Sequence, residues 1–168
     1  MVTVSSDLDH VKTESDAWLA AVAEHLSFED RRDAYTALRA ALHALRDRLS
    51  PEQAMHLSAQ LPTAIRSVYF DGRHLSPPTR DDRCVQDFCG HIGEELPPNF
   101  PLDAKNIAKG VFDVLLEQLD RDEVANLLAA LPAPLQALWA STAHRSAPVT
   151  SSVTHPHPDN ALTVLGQP

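Results

Sequence analysis

Residues 45–62 read LRDRLSPEQAMHLSAQLP, and residues 115–132 read LLEQLDRDEVANLLAALP. Leu45/Leu115, Leu49/Leu119, Leu57/Leu127, Ala59/Ala129, Leu61/Leu131 and Pro62/Pro132 are identical at a constant offset of 70. Each stretch has the form of a helix end, a capped restart and a proline stop. Ser50 is a favourable N-cap, Pro51 suits the first helical position, and Gln53 completes a capping box. Asp120 and Glu123 give the same D-x-x-E pattern. Proline at 62 and 132 places helix boundaries near 61 and 131. The stretch therefore predicts one helix ending near 49, another over about 51–61, and the same pair again near 119 and 121–131.

Working outward, the offset holds without a gap from 16–70 against 86–140. Glu24/Glu94, Leu26/Leu96, Asp33/Asp103 and Ala34/Ala104 are identical. Trp18/Phe88, Val22/Ile92, Leu42/Phe112, Ile65/Leu135, Val68/Leu138 and Tyr69/Trp139 keep apolar character. A fixed internal period is the mark of a repeated structural unit. Trp18, Val22 and Leu26 recur at i, i+4 and i+8, as do Phe88, Ile92 and Leu96, which is one face of a helix. Leu38, Ala41, Leu42, Leu45 and Leu49 stripe a helix from about Glu29 to Leu49, and Ala108, Val111, Phe112, Leu115 and Leu119 stripe its counterpart. The expected fold is all-α, a helical bundle of two tandem repeats of about four helices each. The expected organisation is a flexible N-terminus over 1–12, repeat 1 over 13–72, a linker over 73–82, repeat 2 over 83–142 and a disordered tail over 143–168. The linker is marked by Gly72, Pro77 and Pro78, the tail by Ser, Thr, Pro and His.

Composition supports helix: hydrophobic residues make up 43% and aromatics only 5%, with Ala and Leu, both good helix formers, supplying the apolar mass. The formal charge is −9, which repels phosphate backbones and argues against nucleic acid as partner. No apolar run nears the ~20 residues of a membrane span. Residues 1–10 lack the basic and apolar regions of a secretory signal. Cys84 and Cys89 are too few for a disulfide framework. A reducing cytoplasm is the expected compartment, with no membrane partner.

The motif Arg46-Asp47-Arg48 followed by Glu52, Ala54, Leu57, Ala59-Gln60-Leu61-Pro62, Arg66 and Tyr69 resembles a bacterial family known only as a domain of unknown function. The resemblance covers most of 16–140. It implies a duplicated helical fold and, from the genomic neighbourhood of some members, a link to stress. It carries no catalytic residues.

Several side chains invite a chemical reading. Cys84, Cys89 and His91 form C-x4-C-x-H, but a zinc site needs four ligands, and packing of small apolar thiols is the preferred reading. No metal or cofactor is expected. No phosphate loop, nucleophile elbow or paired carboxylate appears, so an enzyme is not expected. Arg46, Asp47, Arg48 and Arg66 are the candidate site. They form either a salt-bridge network, with Asp47 pairing to Arg66 or beside Arg46, or an anion or partner site built from arginine forks. Residues 16–70 hold six basic against seven acidic residues, and 86–140 hold three against nine; Leu116, Gln118 and Gln136 stand where the first repeat has Arg46, Arg48 and Arg66. The tail ends in an apolar stretch with Leu162, Val164 and Leu165. It is either inert or a docking motif, and it resembles the cargo-loading tails of proteins taken into bacterial encapsulin shells. The expected function is a non-enzymatic interaction or scaffold protein whose partner is another protein, a further copy of itself included. The alternatives are an anion- or small-ligand-binding regulator, and cargo of a protein shell.

Overall fold

The structure, a computed structural model, describes residues 4–72 and 84–143. The fold is all-α. Its helices are α1 (Val4–Leu26), α2 (Arg31–Arg46), α3 (Pro51–Gln60), α4 (Thr63–Phe70), α5 (Val85–Glu95), α6 (Ala104–Gln118), α7 (Arg121–Ala130) and α8 (Ala133–Ala143). No strand occurs among the described residues, and none of their helices is long and apolar enough to cross a membrane.

The boundaries follow local chemistry. The Ser50 side chain accepts from the Gln53 N–H while the Gln53 side chain accepts from the Ser50 N–H, so the capping box forms with Pro51 at the first helical position. Asp30 caps α2 and Asp103 caps α6 through their carboxylates. Asp120 starts α7 without a side-chain cap bond, so the D-x-x-E pattern does not close there. Its acids Asp122 and Glu123 still lie in the first turn, where the helix dipole favours them. Ser27 turns the chain out of α1 with φ 55, and the Phe28 N–H reaches back to the Ala23 carbonyl.

Two boundaries correct the sequence reading. α1 begins at Val4, well before Asp16, so residues 4–12, expected to be flexible, lie in helix. Val4, Leu8 and Val11 extend the apolar spacing of Trp18 and Val22 toward the N-terminus, although Leu8 is 64% exposed. α2 stops at Arg46 rather than Leu49, because the chain tightens into i+3 bonds from Arg48 to Leu45 and from Leu49 to Arg46.

Helices α2 and α6 form the centre and pack on each other. α1 lies against both, and so does α5. Thus the first helix of each half rests on the second helix of the other. α4 packs on α1 and α2, α8 on α5 and α6, and α3 meets α7. One continuous core results, containing Trp18, Val22, Leu38, Leu42, Leu45 and Tyr69 from the first half and Phe88, Ile92, Phe112, Leu115 and Trp139 from the second. Phe112 and Trp139 stack with ring centroids 4.3 Å apart.

α1 packs closely on α6 where Leu26 faces Gly110. A Cβ added to Gly110 would collide with the Leu26 side chain, so any larger residue requires Leu26 to shift. Gly110→Ala would gain helix propensity but force Leu26 from its place. The expected result is a net loss of about 1 kcal/mol in denaturant unfolding, because overpacking outweighs a propensity gain of similar size.

Candidate functional site

The arginine motif sits where α2 ends, and the structure divides its members. Arg46 and Arg48 are only 5% and 7% exposed. Arg46 donates to the carbonyls of Tyr69 at 2.7 Å and Asp71 at 3.0 Å, at the end of α4, and its Nε donates to Asp47 at 2.8 Å. Arg48 donates to the Ala44 carbonyl at 2.7 Å and to His91 Nδ1 at 3.3 Å, and its guanidinium lies 4.7 Å over the Phe88 ring. Asp47 turns its other oxygen to His91 Nε2 at 3.4 Å. Arg46, Asp47 and Arg48 are therefore brought together with His91.

Arg66 is not part of this group. Its donors lie on the carbonyls of Ser58 at 2.8 Å and Leu61 at 3.2 Å, at the end of α3. Of the two pairings expected for Asp47, the one beside Arg46 forms, and Asp47 bridges Arg46 and His91 rather than meeting Arg66. The reason is general: the last carbonyls of a helix lack partners within it, and a neighbouring cation satisfies them well. Gln136, which is 70 positions beyond Arg66, does the same at 2.8 Å from the Leu131 carbonyl. The arginines thus act as bolts on helix ends.

A denser polar group surrounds His43, which is 2% exposed. Its Nδ1 faces the Glu95 carboxylate at 2.9 Å and its Nε2 faces the Val68 carbonyl at 2.8 Å. Arg39 donates to Glu95 at 3.1 Å and to Asp71 at 3.3 Å. The sequence reading missed this cluster, since its partners lie far apart in the chain.

The C-x4-C-x-H residues do not converge. Cys84 caps α5, accepting from the Asp87 N–H, and His91 faces Asp47 and Arg48. Burial pushes the Cys89 thiol above its ordinary value, which keeps it protonated and a poor nucleophile near neutrality. Among the described residues no three His, Cys, Asp or Glu side chains gather as a metal site would need. Leu162, Val164 and Leu165 of the tail lie outside the described residues.

One groove, of about 330 Å³, lies between α3 and α7, lined by Glu52, Gln53 and His56 on one side and Glu123, Asn126, Leu127 and Ala130 on the other. Asp120 and Asp122 continue it at the start of α7. Met55, on α3, is 57% exposed. The sequence located both helices but held no sign that they meet.

The arginine assignment has a direct test. Arg66→Ala removes the bonds that close α3 and is expected to cost about 1–2 kcal/mol, while Arg66→Gln, which imitates Gln136, should retain most of the stability. Denaturant midpoints of the two variants read the difference. None of the curated proteins matches the chain. A family model matches residues 15–138, and the chain belongs to that family, described as "Uncharacterized conserved protein (DUF2267)".

Proposed function

We propose that this is a non-enzymatic interaction protein that docks a basic segment of another protein in the α3/α7 groove, in the cytoplasm. The observation that carries this reading is the charge of the groove. Glu52, Asp120, Asp122 and Glu123 surround it, and Arg121 is its one neighbouring arginine. An amphipathic helix with basic flanks complements an apolar floor rimmed by carboxylates. The anion-regulator reading is weaker, because the donors of Arg46, Arg48 and Arg66 rest on carbonyls and neighbouring side chains.

We also propose that the two halves arose by duplication. α3 spans 51–60 and α7 spans 121–130, and α4 and α8 start at 63 and 133, all at the offset of 70 seen in the sequence. The groove then lies where equivalent helices of the two copies face one another. Its binding function would have become possible only once the copies were joined.

The test uses a lysine-rich amphipathic peptide of about fifteen residues, labelled for fluorescence anisotropy. Wild-type protein is expected to bind it, with affinity falling as salt is raised. Glu52→Lys with Glu123→Lys should weaken binding at least about tenfold, as expected for reversing two rim charges, with the circular dichroism spectrum unchanged. Equal binding by the double variant would contradict the proposal.

A further inference from the structure

Two of the polar contacts between the two halves follow a rule that appears when positions 70 apart are compared. Position 25 is histidine and position 95 is glutamate, while position 43 is histidine and position 113 is aspartate. In the fold these four pair crosswise. His43 on α2 faces Glu95 on α5 at 2.9 Å. His25 on α1 faces Glu117 at 2.9 Å and Asp113 at 3.9 Å, both on α6. Under the offset α1 corresponds to α5 and α2 to α6, so the α2/α5 and α1/α6 contacts are one contact used twice. At both places the first half supplies the imidazole and the second half the carboxylate.

We infer that this asymmetry is a pairing code, by which the α1/α2 face of the first half is built to receive the α5/α6 face of the second half and not another copy of itself. Two second halves joined through the same contact would bring Glu95 against Asp113 and Glu117, with Lys109, 70 positions beyond Arg39, as the balancing cation. Two first halves would bring His25 and Arg39 toward His43, with Asp47 as the balancing carboxylate. Like charges at close range disfavour the pair of second halves, and in the pair of first halves the imidazoles lack the Glu95 and Glu117 carboxylates they face here. In the mixed pair Glu95 meets His43 and Arg39, and His25 meets Glu117 at 2.9 Å with Asp113 farther off at 3.9 Å. Such repulsion against wrong partners is a common source of specificity.

A third contact, His91 with Asp47, stands outside the code. The position 70 before His91 is Ala21, and Glu117, 70 beyond Asp47, faces His25 instead. This inference is independent of the groove, since none of its residues lines α3 or α7.

A double-mutant cycle in the full chain tests it. His25→Glu sets a third carboxylate against Asp113 and Glu117 and is expected to lower the folding equilibrium constant about fivefold or more. Glu117→Lys in the same chain recreates a cross-half pair of reversed sense and should recover most of that loss. If His25→Glu prevents folding altogether, recovery of a cooperative transition by the added Glu117→Lys is the supporting result. The inference is overturned if the effects of the two substitutions simply multiply, or if the double variant remains unfolded.

Discussion

The junction at His43 is the interaction on which the rest of the structure depends. The ring is buried, and both of its nitrogens face acceptors, Glu95 from the second half and the Val68 carbonyl at the end of α4. Each ring nitrogen thus meets an oxygen, one from each half of the chain. A buried polar group left without partners costs about 1–3 kcal/mol. The cluster is therefore favourable only when α2, α4 and α5 are all in place. It ties closure of the first half to arrival of the second.

The apolar packing around it has the same dependence. α1 alone leaves Trp18, Val22 and Leu26 without cover, and α6 provides part of it, with Gly110 allowing Leu26 to approach. α5 places Phe88 beneath the Arg48 guanidinium. Arg46 closes the end of α4, Arg66 the end of α3, and Gln136 the end of α7. Arg39, Arg46, Arg48 and Arg66 of the first half are thus occupied in holding helices together. The acidic residues Glu52, Asp120 and Asp122 around the α3/α7 groove are left exposed.

How much of this was legible depended on range. The capping box at Ser50 and the stop at Pro62 are local events, and the structure has both where the residues placed them. At Asp120 the same four-residue pattern was ambiguous, because acids in a first helical turn are favoured by the dipole with or without a cap bond. The N-terminal extension of α1 was missed because polar residues at 5–7, 9 and 10 mask the apolar spacing of Val4, Leu8 and Val11. The arginines were recognisable as special, but their destinations were not, since backbone carbonyls leave no sequence signal. The His43–Glu95 pair joins residues 52 positions apart. A clue did exist, in histidines at 25 and 43 set against acids at 95 and 113.

If the halves depend on each other in this way, they must unfold together. Differential scanning calorimetry of the full chain tests this most directly. The account predicts one transition, with calorimetric and van't Hoff enthalpies equal, as for a single cooperative unit. Two resolved transitions, or a calorimetric enthalpy well above the van't Hoff value, would show halves that melt separately and would contradict it.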